Sequence, residues 1–458
     1  MLKWSDPDNR DVCSSDVFDG SDRPDLISSA HGGIGCMVAK EVVAGQHRVR
    51  GEQRAAAICA VSGDANQHVR KHAPDGRRRR STMNGMTERN GSASLPVTFP
   101  PAIYRQRLSR VQALVYERGL GGAIIGTGAE LAYLTGSWTT SHERLTALVV
   151  PPAGDIRLLA PATDATALGP VAEEIGIQLS TWRDGENPYV LAEKVCGSGR
   201  IAVGSSLTAD HVLRLQEVAG DVVLATDVLA EAFMVKGTEE IEQLAFAAAA
   251  IDRVHDQVPD LLQAGRTERE VAADLDELIL REHSRTDFII VGSGPHGADP
   301  HHDYSDRVLE EGDPVVVDIG GTVGAGYHSD CTRTFVVGDK DKASAEFSRA
   351  YEVLRRAQAD AVAAARPGMT AGDLDAVARG RINEAGYGSY FTHRLGHGIG
   401  LGLHEEPFII ARSEMVLQPG MVFSIEPGIY IPGKWGMRIE DIVVLEDGGA
   451  RSLNATPK

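Results

Sequence analysis

The chain has 458 residues, 42% of them hydrophobic, and a formal net charge of −18 at pH 7. That length and apolar content suffice for two or three domains with sizeable cores, while the acidic excess argues against general nucleic-acid binding. No uninterrupted apolar stretch approaches the roughly 20 residues of a membrane-spanning helix. Cys13, Cys36, Cys59, Cys196 and Cys331 lack the paired spacing of a disulfide framework, and the polar start from Met1 to Asp8 has no apolar signal core. A cytoplasmic compartment is the simplest expectation.

Residues 1–95 carry 14 Lys and Arg against 12 Asp and Glu, whereas residues 96–458 carry 32 against 52. With scattered Gly, Asp and Ser and few periodic apolar runs, the first segment reads as a disordered extension, or as the product of an upstream start with Met86 a natural beginning. Its basic cluster, the arginines at 77–80 with Arg70 and Lys71, reads as a solvated charge run. From Phe99 the chain becomes orderly. Residues 104–118 have amphipathic helical spacing, and 121–125 and 144–150 read as buried strands of an α/β unit spanning 97–233. Thr238 is the expected cap of a long helix reaching toward Leu262, with Glu239 and Glu240 in its first turn. Helices are also expected at 267–282 and 344–365, the latter stopped by Arg366, Pro367 and Gly368. Alternation of these helices with acid-bearing strands predicts an α+β domain over 236–458.

Within that second domain five residues stand out. Asp318 follows Val315, Val316 and Val317 and precedes Gly320 and Gly321; Asp330 stands before Cys331, Thr332 and Arg333. Strand side chains alternate, so a separation of twelve positions places both carboxylates on one side of a folded-back ribbon. Like charges so held repel unless cations stand between them. Two solvated strand-end aspartates are the bland alternative. His397 sits among Gly396, Gly398, Gly400 and Gly402, which lets backbone approach a buried site, although a lone histidine there would more often be a core residue. Glu426 ends an apolar strand before Pro427 and Gly428, and Glu440 follows Met437, Arg438 and Ile439. A buried glutamate in either place is costly unless a cation meets it; a surface pair of Arg438 with Glu440 is the alternative. Four carboxylates and one imidazole suit hard or borderline divalent ions rather than a thiolate zinc site, so metal-assisted hydrolysis is the expected chemistry.

In order and in local wording these segments resemble the pita-bread metallopeptidases, the group of Xaa-Pro aminopeptidases, prolidases and methionine aminopeptidases. The similarity spans roughly 97–455 and is closest to short two-domain bacterial Xaa-Pro dipeptidases of mycobacterial type. It implies an α+β fold: a pita-bread catalytic domain preceded by a smaller α/β creatinase-like domain, in which the segment from Leu131 to Gly136 faces the active site. By resemblance Asp318 binds one metal, Asp330 and Glu440 bridge two, and His397 with Glu426 completes the second. A water between the ions would be the nucleophile, with Glu426 shuttling its proton to the leaving nitrogen. His301, His393, His404 and Arg438 would lie beside the substrate and stabilise the tetrahedral oxyanion. His302 and His328 are expected to be mainly structural. Arg333 would either support a ligand carboxylate or form an ordinary cross-strand pair.

The implied activity is hydrolysis of Xaa-Pro dipeptides by two divalent ions. Manganese is favoured by the carboxylate-rich set, with cobalt, zinc or iron as substitutes. The resemblance further implies a small-peptide substrate, no membrane or nucleic-acid partner, and a homodimer. An Xaa-Pro aminopeptidase acting on longer peptides is the alternative. A metal-free creatinase-like hydrolase or an inactive binding module would be marked by loss of ligands, and none is lost. The chain ends at Lys458, where relatives usually continue through a short final segment. All the ligands precede that point, so the expected consequence falls on stability or oligomer contacts before chemistry.

Overall fold

A computed structural model describes residues 95–458. The expectations for the extension and its arginine cluster lie outside the described residues. The first unit is a six-stranded sheet built from β1 (Gly122–Gly126), β2 (Ala147–Val150), β3 (Arg157–Pro161), β4 (Gln178–Trp182), β5 (Ile201–Val203) and β6 (Val222–Leu224), in the order β4-β3-β2-β1-β5-β6. β2 runs antiparallel to both β1 and β3, and the other pairings are parallel. Both faces of the inner strands β1, β2, β3 and β5 are covered, so these read as nearly continuous apolar runs. Period-two alternation divides them between two cores: Ile124, Ala147 and Val149 enter one, and Ala123, Ile125, Leu148 and Val150 the other.

The second unit is antiparallel. β7 (Arg285–Ser293), β8 (Pro314–Val323) and β10 (Cys331–Val336) form a sheet, with β9 (Tyr327–His328) pairing on β8. A second sheet has the order β12-β11-β13-β16-β17, from β11 (Gly396–Gly398), β12 (Glu405–Ile409), β13 (Val422–Ile425), β16 (Asp441–Glu446) and β17 (Gly449–Ser452). β14 (Gly428–Ile431) and β15 (Trp435–Arg438) make a ribbon between β13 and β16 in the chain. On β8, Val315, Val317 and Ile319 enter a core with residues of helices Thr238–His255 and Glu268–Glu282. Alternation therefore turns Asp318 to the opposite face.

The predicted helices at 267–282 and 344–365 form as Glu268–Glu282 and Ala345–Ala364, capped by the side chains of Thr267 and Ser344. The cap expected at Thr238 belongs instead to Gly237, whose N–H donates to Glu240 Oε2 at 3.1 Å. That helix stops at His255 and is followed by a separate turn, Val258–Leu261. Pro259 explains the break, because its ring lacks an N–H and clashes with the preceding turn. The final residues are docked: Ala455 N and Thr456 Oγ1 donate to Asp252, and Arg333 donates to Thr456 O at 2.7 Å.

A buried charge pair joins the two units. Arg107, on helix Pro101–Glu117, pairs with Glu240 at 3.3 Å, donates to Tyr133 O at 2.9 Å and lies 4.0 Å from the Tyr133 ring centroid. Tyr327 Oη donates to the other Glu240 oxygen at 2.8 Å. Burial disfavours the charged guanidinium, but Glu240 together with Tyr327 and Tyr133 outweighs it and holds the Arg107 pKa above its ordinary value. Arg107→Met would leave the Glu240 carboxylate buried without its cation, and we expect it to lower unfolding stability by about 3–5 kcal/mol. The midpoint and slope of urea unfolding measure this; an unchanged midpoint would show the pair to be dispensable.

Candidate active site

The carboxylates converge because three sheet segments end at one place. In the β8–β10 register Asp318 stands opposite Thr332, and Asp330 is two residues before Thr332, so the three share a face. His397 lies on β11. A Cβ on Gly396 or Gly398 would run into Ser424 O or Glu406 O, so only glycine allows β13 and β12 to close on either side of it. Glu426 sits in the link between β13 and β14, one residue past the strand expected to contain it. Glu440 occupies the corresponding link between β15 and β16. Arg438 and Glu440 are not a surface pair: both are buried, Arg438 pairs with Asp318 at 2.5 Å, and Glu440 accepts from Thr332 Oγ1 at 2.7 Å.

One oxygen each from Asp318, Asp330 and Glu440 lies within 4.8 Å of the others, and the same holds for ligand atoms of His397, Glu426 and Glu440. His397 Nε2 stands 3.3 Å from Glu426 Oε1 and 3.6 Å from Asp330 Oδ2. Its Nδ1 faces Gly398 O at 3.1 Å, a carbonyl that can only accept, so the proton belongs on Nδ1 and the bare Nε2 faces the carboxylates. Acceptor thus meets acceptor. Asp318 Oδ1 and Glu440 Oε1 are buried with no hydrogen-bond partner, which is costly for a buried acceptor. Bare imidazole nitrogen, orphaned oxygens and mutual proximity fit divalent metal ions.

The electrostatics say the same. Burial, followed by the charges of Asp318 and Glu426, pushes the Asp330 carboxyl well above its ordinary range. Burial and the neighbouring carboxylates do the same to Glu440. Glu426 is pushed up to about 7, chiefly by burial, against the opposing charge of Arg438. His397 is pushed down to about 3 by burial and by His404 beside it. Without a cation the cluster therefore retains protons.

These groups line a cavity of about 680 Å³ together with Phe288, Ile290, Leu403, Ile410 and Arg394. A larger cavity, about 850 Å³, is lined by His255, Phe335, Phe347, Tyr351 and Pro457 and collects none of the five ligand candidates. His301, His393, His404 and Arg438 also line the smaller cavity. The His301 and His404 rings make no hydrogen bond among the described residues. His393 spends both nitrogens within the protein, Nδ1 on Arg394 O at 2.7 Å and Nε2 on Tyr430 Oη at 3.0 Å. Arg438 is likewise engaged, with Asp318, Thr332 Oγ1, Tyr430 Oη and Pro300 O.

His302 turns away to Glu268, and His328 ties Asp287 to Leu401 O. Arg333 pairs with Asp441 at 2.7 Å, the cross-strand alternative, and also donates to Glu440 O. Tyr430, Thr332 and Ser424 carry roles that sequence reasoning did not assign. Ser424 precedes Glu426 by two residues and donates to it at 3.0 Å, so strand alternation was the available signal.

Residues 242–447 match the model of metallopeptidase family M24, and residues 107–234 that of the creatinase/prolidase N-terminal domain. The chain is 52% identical over 364 residues to the probable dipeptidase PepE of Mycobacterium tuberculosis, covering 78% of this chain and 96% of that protein. It is a member of metallopeptidase family M24. The crystal structure of dipeptidase PepE from Mycobacterium ulcerans superposes with a TM-score of 0.76 at 50% identity, covering 79% of this chain and 98% of that one. The prolidase from Pyrococcus furiosus does so with 0.67 at 33% identity, covering 76% and 100%. The M24 chain thus has the expected α+β architecture, a creatinase-type amino-terminal domain followed by a pita-bread catalytic domain, and the family implies divalent metal ions.

The raised carboxyl pKa values set a pH dependence for the metal-free M24 chain. Between the ordinary glutamate value near 4.5 and about 7, folded Glu426 holds a proton that the unfolded chain has released. This contribution to stability is fully present below 4.5 and is lost as pH rises through about 7. Cation binding must expel those protons, so it strengthens in the same direction. We expect the gap in Tm between manganese-loaded and chelator-stripped protein to widen from pH 5 to pH 8, measured by scanning calorimetry. A gap independent of pH would count against the cluster as the metal site.

Proposed function

We propose that this chain hydrolyses the Xaa-Pro bond of dipeptides with two divalent cations, manganese first among them, held by Asp318, Asp330, His397, Glu426 and Glu440. The observation that carries the reading is the convergence of four carboxylates and a bare imidazole nitrogen in one cavity. Relatives named Xaa-Pro dipeptidase, such as that of Lactobacillus helveticus at 33% identity, support the substrate class. When bound, such a cation pair supplies Lewis acidity and lowers the pKa of water into the neutral range.

The chain's own residues do the rest. Asp330 and Glu440 lie between the two halves of the cluster, and Thr332 Oγ1 fixes the Glu440 carboxylate by a hydrogen bond. Glu426, oriented by Ser424, carries a proton from the attacking water to the proline nitrogen, which as a tertiary amide has no N–H of its own. His301 and His404, which line the cavity and whose rings make no hydrogen bond among the described residues, meet the scissile carbonyl and its developing oxyanion. Arg438 holds Asp318 and Tyr430 in place, and His393 orients Tyr430 in turn. Phe288, Ile290, Leu403 and Ile410 offer apolar walls to the proline ring and exclude water. We further propose a cytoplasmic homodimer, with domains over 97–233 and 236–458.

Arg394 favours a dipeptide over a longer peptide. Its guanidinium stacks 4.4 Å from the Phe408 ring centroid, lines the cavity, and makes no ion pair among the described residues. A dipeptide carries its carboxylate one residue past the scissile bond, within such a cation's reach; a longer peptide does not.

Metal-stripped protein with manganese, cobalt or zinc restored should cleave Ala-Pro and leave Ala-Pro-Ala and Ala-Ala largely intact, with Asp330→Ala inactive. Cleavage of the tripeptide would establish the aminopeptidase alternative, and failure of every metal would end the hydrolase reading. Arg394→Met should raise KM for Ala-Pro about 10- to 100-fold, the loss of one charge-assisted contact. An unchanged KM would exclude Arg394 as the carboxylate contact.

A further inference from the structure

A carboxylate outside the metal cluster also lies fully out of water. Glu268, the first residue of helix Glu268–Glu282, is 0% exposed. Its Oε1 accepts from Ser293 N at 2.8 Å and Ser293 Oγ at 2.6 Å, and its Oε2 from Ser305 N at 2.9 Å and Ser305 Oγ at 2.7 Å. His302 Nε2 stands 3.0 Å from Oε2, and His296 Nδ1 stands 3.1 and 3.2 Å from the two oxygens. Burial alone would raise this carboxyl's pKa, yet the donors from Ser293, Ser305 and His302 pull it down to about 2.

Those partners form one continuous segment. Ser293 is the last residue of β7, His296 lies in the turn after it, and Ser305 closes the loop. A single carboxylate thus holds residues 293–305 at both ends and in the middle. His301, which lines the catalytic cavity, lies within that segment and next to His302, whose ring points to Glu268 instead. The His301 ring has no hydrogen bond among the described residues, and its backbone N–H is held only by Asp299 Oδ1 at 3.1 Å. The aim of that ring is therefore set by its backbone.

We infer that Glu268 is a positioning residue that latches the segment 293–305 and so presents His301 to the substrate. The inference rests on the role proposed above for His301. The latch requires an anion with acceptors on both oxygens. A glutamine would turn an amide NH₂ toward the donors at one end, leaving the backbone N–H of Ser293 or Ser305 facing another donor. A displacement of about 1 Å at a reacting group can cost on the order of 100-fold in rate.

A double-mutant cycle on the manganese-loaded enzyme tests this. Glu268→Gln should lower kcat for Ala-Pro about 10- to 100-fold with metal content unchanged, and change kcat less than about twofold in a His301→Ala background. His302→Ala, which removes one donor and leaves both serine contacts to Glu268 in place, guards against misfolding of the first variant and should show a smaller loss with the same dependence on His301. Losses that multiply in the His301→Ala background, as a general loss of folded enzyme would, overturn the latch while leaving the site reading intact. A His301→Ala enzyme with wild-type kcat overturns the role of His301, and the latch with it.

Discussion

Four carboxylates that cannot coexist as bare anions are the constraint on which this molecule depends. Asp318, Asp330, Glu426 and Glu440 are gathered where burial and mutual repulsion push three of them far from their ordinary ionisation. The charge on Arg438 offsets only part of that, because its guanidinium is committed to Asp318 and to Tyr430. Cations can supply the positive charge that such a cluster lacks, and the proposed water activation would draw on the same charge.

The scaffold keeps these groups apart from the rest of the core by simple geometry. On β8 alternate residues serve different masters: Val315, Val317 and Ile319 enter the helix-covered core, and Asp318 points the other way. Thr332 sits at the junction, donating its hydroxyl to Glu440 and accepting from Arg438. Arg333, the next residue, faces the opposite side and reaches the Glu440 backbone and Asp441. Two consecutive residues of β10 thus hold Glu440 from its carboxylate and from its main chain.

The amino-terminal unit is fastened by charge as well as by apolar packing. Arg107, Glu240 and Tyr327 join its first helix to β9, and Lys236 both donates to Phe233 O at the end of that unit and pairs with Glu405, the residue after His404. Leu401 lies in the core shared with β1 and β2. The histidine loop of the active site is therefore anchored partly by the first unit, so that unit contributes to the site without lending it a reacting group.

All five ligand candidates were legible in the sequence because each sits in a local context with a physical signature: β-branched runs before Asp318, glycines around His397, Pro-Gly after Glu426. Helices with side-chain caps at Thr267 and Ser344 were equally readable, since a cap is a local event. The Thr238 cap was misplaced by one residue because Gly237 offers no side chain to read and Glu240 supplies the bond in reverse. Tyr430, Arg394 and Glu268 were not recognised. Their significance lies in partners 8 to 37 positions away, and no local pattern encodes such a meeting. By itself, then, the sequence determined the candidate donor set and the faces on which strands carry it, because period-two alternation and acid-in-apolar contexts are local. Only the tertiary structure decided that Asp318 meets Arg438, that His393 is spent on Tyr430, and that Glu268 grips the His301 loop, because hydrogen bonds between distant segments exist only once the sheets have closed.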